Sequence, residues 1–178
     1  MKKKMMLLLI AALAMPLFAD SLVVYFSHSG NTASVASRIA EITGSDLFRI
    51  ETVEEYPESY DELLTYARNE QRENARPELR THIENPDSYD VIFLGYPNWW
   101  GDMPMPLYSF LDEYNLSGKT IMPFVTSGGS GFSRTIRAIE EAEPDALVMD
   151  GLSLRDSRVH DESTDEAISE WISSSHLF

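Results

Sequence analysis

Leu22-Val23-Val24-Tyr25-Phe26-Ser27-His28-Ser29-Gly30-Asn31-Thr32 is the stretch on which the reading of this chain turns. Its first five residues are an apolar run of strand length. The rest is mostly hydroxyl, amide and glycine, and behind it Val35, Ala36, Ile39 and Ala40 recur at helical spacing until Gly44 stops the pattern. The unit is strand, turn, helix. Such a turn at a helix N-terminus admits two readings: its side chains cap the first N–H groups, or those N–H groups and the helix dipole receive an anion. No lysine stands in the turn, so a phosphate here would be held by neutral donors.

Two further loops follow apolar runs in corresponding places. Asp90-Val91-Ile92-Phe93-Leu94 reads as a strand covered on both faces, and it runs straight into Gly95-Tyr96-Pro97-Asn98-Trp99-Trp100-Gly101. A helix follows with Leu107, Phe110, Leu111 and Tyr114 on one face. Thr120 to Val125 is another strand, in which Pro123 is awkward because it cannot donate to a ladder. It leads into Thr126-Ser127-Gly128-Gly129-Ser130-Gly131 and a helix carrying Phe132, Ile136 and Ile139. Between the first unit and these lie a short strand, Leu47 to Ile50, with Arg49 pointing to a sheet edge, and a helical stretch from Tyr56 to Arg76 before Pro77. A last strand lies within Ala146 to Leu154, and a final helix opens with Ser163 and Glu166 at capping-box spacing. Five strands alternating with five helices predict a doubly wound α/β domain, which binds ligands beyond the carboxyl ends of its strands.

At 178 residues the chain suits one domain. Residues 1–19 stand apart: Lys2, Lys3 and Lys4, an apolar run from Met5 to Phe18, then Ala19. This is the pattern of a secretory signal peptide, and the run is short for a membrane span of about 20 residues. The expectation is an exported protein, periplasmic or extracellular, whose folded domain spans 20–178; an uncleaved, membrane-tethering leader is the alternative. Without the leader, 11 basic residues face 29 acidic ones, a formal charge of −18. That balance opposes nucleic-acid and anionic-membrane binding and would steer the protein toward a basic partner, with solubility alone as the plainer explanation. The chain has no cysteine, so redox chemistry must come from a cofactor.

Neither the dinucleotide fingerprint nor the lysine-bearing phosphate loop occurs. The nucleophile elbow fails because Phe132 stands where its last glycine belongs, which leaves little for a Ser130 and His160 hydrolase. The histidines lack ligand spacing for zinc.

Together, Ser27-His28-Ser29-Gly30-Asn31-Thr32, Gly95-Tyr96-Pro97-Asn98-Trp99-Trp100-Gly101 and Thr126-Ser127-Gly128-Gly129-Ser130-Gly131 resemble the loops of the flavodoxin family, in particular flavodoxin-like proteins with a Tyr-Pro-x-Trp-Trp-Gly loop. The resemblance implies a three-layer fold, a five-stranded parallel sheet in the order 2-1-3-4-5, and a bound FMN. By position, Ser27, Ser29, Asn31 and Thr32, with the backbone of His28 and Gly30, would hold the phosphate. Pro97, Asn98, Trp99 and Trp100 would line the isoalloxazine, backbone groups from Trp99 to Gly101 would tune it, and the backbone of Thr126, Ser127, Gly128 and Gly129 would meet its other side. The loops themselves place no cation beside the flavin. The implied function is electron transfer with a redox partner protein or a small-molecule donor or acceptor. Because the third loop presents glycines rather than an aromatic ring, an NAD(P)H- or quinone-linked reductase stays open beside the carrier, as does an interaction domain that keeps the fold without redox activity. The Tyr56 to Pro77 segment could cover the exposed flavin face, although an ordinary packed helix is the more economical reading.

Overall fold

A computed structural model gives the fold of residues 20–178; the leader read over residues 1–19 lies outside the described residues. The elements are β1 (Ser21–Tyr25), α1 (Asn31–Thr43), β2 (Asp46–Arg49), α2 (Tyr60–Glu73), β3 (Val91–Pro97), α3 (Met105–Glu113), β4 (Thr120–Ser127), α4 (Thr135–Ala142), β5 (Leu147–Val148), β6 (Leu152–Arg155) and α5 (Ser163–Ser174). All sheet pairings are parallel, in the order β2-β1-β3-β4-β5, with β6 also on β4. The expected strand order is therefore the observed one. β1, β3 and β4 are buried almost throughout, as strands with helices on both faces must be. Alternate residues feed two cores: Leu22, Val24, Ile92, Leu94 and Ile121 pack with α3 and α4, while Val23, Phe93 and Met122 pack with α1 and α5.

β2 is the sheet edge, and Arg49 is exposed there as its charge required. The fifth strand is the departure: it breaks at Met149-Asp150-Gly151 into β5 and β6. Pro123 supplies the reason. Ile121 accepts from Met149 N–H on the fifth-strand side, so Pro123, two residues on, turns its missing donor to the same side. The ladder resumes only at Phe124 against Leu152. Gly151 fits the gap because a Cβ there would stand 2.7 Å from the Pro123 carbonyl oxygen and 2.3 Å from the Phe132 ring. Proline thus sits in an inner strand beside a bulge.

Two local expectations are corrected. The capping box of the last helix does not form: Glu162 is the N-cap and makes no side-chain cap bond. The turn bond from Asp165 N–H to the Glu162 carbonyl starts the helix one residue early, and the Thr164 hydroxyl donates to the Arg158 carbonyl at 2.7 Å. The second helix is also shorter than its pattern, starting at Tyr60 rather than Tyr56, because Tyr56 is taken into an aromatic cluster with Phe26, Tyr66 and Trp99.

Candidate functional site

The three loops leave the carboxyl ends of β1, β3 and β4, at and beside the point where the strand order reverses between β1 and β3. They converge on a cleft of about 820 Å³. The first loop contributes His28, Ser29 and Asn31, the second Pro97, Asn98, Trp99 and Trp100, and the third Thr126, Ser127 and Gly128. Ser27, Gly30, Thr32, Gly101 and Gly129 are not among the lining residues.

The capping question left by the sequence is answered by the backbone. The N-cap of α1 is Gly30, at φ +94°, and it makes no side-chain cap bond. The first intrahelical bond runs from Ser34 N–H to the Gly30 carbonyl, so the N–H groups of Asn31, Thr32 and Ala33 have no partner one turn back. Ser27 is buried, and its hydroxyl accepts from Gly30 N–H at 3.2 Å. Ser127 does the same in the third loop, accepting from Gly129 and Gly131 at 3.2 and 3.1 Å. Thr32 is 1% exposed, and its hydroxyl meets that of Thr126 at 2.9 Å. The buried hydroxyls hold the loops in shape and to one another. Ser29 and Asn31 reach the cleft with His28, whose ring is bonded to the Pro57 carbonyl.

In the second loop, Trp99 and Asp102 exchange both backbone hydrogen bonds around Trp100 and Gly101, whose φ values are +53° and +79°. This is a type I′ turn with a tryptophan where asparagine is usual, a strained place for a bulky residue. Asn98 braces it: its carbonyl oxygen accepts from Gly101 N–H, and its amide donates to the Gly131 carbonyl and the Ser133 hydroxyl. The Trp100 indole N–H donates to the Leu64 carbonyl of α2 at 3.1 Å, with the Arg68 guanidinium 4.4 Å from its ring. Trp99 packs edge-on against Phe26, Tyr56 and His28, and His28 bonds the Pro57 carbonyl through Nε2.

Across the cleft stands α2, which presents Tyr60, Leu63, Leu64 and Ala67. The segment borders the cleft, and its Leu63 and Ala67 are buried, so α2 packs as an ordinary helix does and also forms one side of the site.

Several residues at the site gave no signal in the sequence. Asp102, 1% exposed, accepts from Tyr108 O–H and Met103 N–H, both at 2.8 Å, and pairs with Arg134. It ties the second loop to α3 and to the residue before α4. Burial, and then the hydrogen bond to Asp102, push the Tyr108 phenol well above its ordinary range. Although the loops carry no cation, the fold brings up two: Arg49 donates to the Ser27 carbonyl at 3.1 Å, and Arg155 lies against Gly129, 3.6 Å from where a Cβ would be. Glu58 and Asp156 also line the cleft. His160 lies 3.5 Å from the Ser34 hydroxyl and shares no hydrogen bond with Ser130 among the described residues.

Residues 20–175 match the family model described as flavodoxin. The chain belongs to the flavodoxin family. Among solved structures, a candidate flavoprotein from Bacteroides eggerthii DSM 20697 is 30% identical, with a TM-score of 0.77 over 88% of this chain and 97% of that one. A second from Bacteroides uniformis ATCC 8492 is 26% identical, with a TM-score of 0.77 over 87% and 98%. A flavoprotein from Lactobacillus acidophilus NCFM, crystallised with FMN, is 25% identical, with a TM-score of 0.68 over 86% and 99%. Among the described residues of this flavodoxin, no helix is long and apolar enough to cross a membrane.

Proposed function

We propose that this flavodoxin binds FMN in the cleft between its three loops and α2 and transfers electrons through it. The observation that carries the reading is the α1 N-terminus: a helix entered through a left-handed glycine without a capping side chain, beside Ser29 and Asn31 and at the end of an aromatic and apolar cleft. Unpartnered N–H groups and a helix dipole suit a phosphate, and indole and leucine walls suit a planar ring. The donor set fits the cofactor. Ser29, Asn31 and the first N–H groups of α1 would hold the phosphate, Trp99 and Trp100 would flank the ring, and Gly128 would let the backbone of the third loop approach it.

Bound FMN supplies the one- and two-electron chemistry. What the chain adds is position and shielding. The Asn98 bridges and the Asp102 pairing hold the second loop in one geometry, and α2 screens the cleft from water with Leu63, Leu64 and Ala67. That wall favours a second reading beside the protein-to-protein carrier, a reductase acting on a small molecule admitted between α2 and the ring. The leader supports placing the protein outside the cytoplasm, which fractionation of the source cells would test.

The deciding experiment is titration of the purified protein with FMN, followed by flavin absorbance and tryptophan fluorescence. Stoichiometric binding with quenching is expected. Folded protein that binds no FMN would overturn the redox reading. Turnover of quinones or NAD(P)H by the loaded protein then separates reductase from carrier.

A further inference from the structure

Trp99 is continuous with a second set of aromatic residues that lead away from the cleft. Its ring centroid lies 5.5 Å from that of Tyr56, and Tyr56 lies 5.3 Å from Tyr66, both edge-on. Tyr66 belongs to α2 and lines two solvent-facing hollows on its outer side. The Tyr56 hydroxyl donates to Glu70 Oε2 at 2.6 Å. Among the described residues, Trp99 is the tryptophan whose ring packs on a tyrosine: Trp100 is covered by Arg68, and Trp171 packs on Phe93. The chain has no cysteine to intercept an oxidising equivalent.

We propose that Trp99, Tyr56 and Tyr66 form a one-electron path from the cleft to the protein surface, with Glu70 as the base that takes and returns the Tyr56 proton. The co-reactants are a one-electron oxidant of the oxygen-radical class in the cleft and a small reductant of the ascorbate class in solution. The oxidant takes one electron from the Trp99 indole. Tyr56 returns an electron to Trp99, and its phenolic O–H bond breaks as the proton passes to the Glu70 carboxylate; a neutral phenoxyl radical and a carboxylic acid remain. Tyr66 gives an electron to Tyr56 and its own phenolic proton to water, while the proton on Glu70 goes back to Tyr56. The reductant then restores Tyr66, which regains a proton from water. The net result is one electron carried inward and no lasting change in the chain.

The surroundings suit those roles. Burial, and then the bond to Glu70, hold the Tyr56 phenol protonated far above its ordinary range, so it releases its proton only when oxidised. Partial burial raises the Glu70 carboxyl above the usual carboxylate range, against the lowering effect of the Tyr56 hydrogen bond, which makes it a stronger proton acceptor. The path does not rest on FMN binding, because an oxidant can be supplied from outside.

Pulse radiolysis with azide radicals, which oxidise indoles, tests the path in the purified protein. In the wild type the indolyl band should decay in a concentration-independent phase as the phenoxyl band grows. Tyr56→Phe keeps the ring and its packing and should lose that phase. Glu70→Gln keeps a hydrogen-bond acceptor but not the base, and should slow the phase and change its solvent deuterium isotope effect. Circular dichroism and melting establish that each variant is folded; if Tyr56→Phe does not fold, Glu70→Gln decides alone. A wild type without intramolecular transfer, a folded Tyr56→Phe with the wild-type phase, or a Glu70→Gln protein unchanged in both rate and isotope effect would each overturn the proposal.

Discussion

The hydroxyls of the first loop divide by burial, and the division sets what each substitution should do. Ser27 and Thr32 are buried and already bonded within the protein, whereas Ser29 is exposed at the cleft. Ser29→Asp should therefore leave the fold intact and weaken FMN binding by about 1–2 kcal/mol, roughly tenfold, because a carboxylate then faces the phosphate. Titration with FMN checks it, and unchanged affinity would remove the phosphate from this loop. Asp102 makes the opposite case. Asp102→Ala should cost about 2–3 kcal/mol in denaturant unfolding, because Tyr108 O–H and Met103 N–H lose their buried acceptor. Arg134 contributes little to that loss, since its side chain is 63% exposed and stays hydrated.

At the scale of elements, the broken fifth strand shows one residue shaping its neighbour. Pro123 withholds a donor from the sheet, β5 and β6 part opposite it, and Gly151 brings the chain close against the proline carbonyl. Gly151→Ala should destabilise the protein by about 1–3 kcal/mol, since the new methyl meets a backbone oxygen that cannot give way. Chemical denaturation reads the change, and a variant as stable as the wild type would refute the account. The same scale shows what the pattern of α2 leaves open. Leu63, Leu64 and Ala67 have the spacing of a helix that packs on a core; Leu63 and Ala67 are buried, and all three also border the cleft formed by three other loops. Periodicity gives the apolar face of a helix and says nothing of what that face meets.

At the scale of the whole molecule, two part-buried carboxyls make stability depend on pH. Burial raises the Glu143 carboxyl above its ordinary range, outweighing the Leu116 N–H that stabilises its charged form, and Glu70 is raised in the same direction. The folded state then binds these protons more tightly than the unfolded chain. Stability should fall as pH rises from the unfolded glutamate value, about 4.3, through the raised folded value, and the loss is complete above it. Glu143→Gln can still accept from Leu116 and should raise the Tm at neutral pH with no gain at pH about 4. Equal effects at both pH values would assign the change to packing.

Much of this protein was determined by its sequence alone. Continuous apolar runs at Leu22–Phe26 and Val91–Leu94, alternating with helical periodicity, required a parallel sheet covered on both faces, and three loops at strand ends, two rich in hydroxyls and glycine and one in tryptophan, pointed to the cleft. These signals are local: a strand, a turn and a helix each show their periodicity within a few residues. Tertiary structure decided what the side chains do there. Thr32 meets Thr126 from 94 positions away, Asp102 finds Arg134 across 32, and Tyr56 leaves its helix to join Trp99. It also decided that α2 walls the cleft and that Arg49 and Arg155 stand behind loops without cations of their own. Such pairings depend on which elements the sheet order sets side by side, and a hydroxyl or carboxylate carries no mark in the sequence of the distant partner that burial obliges it to find.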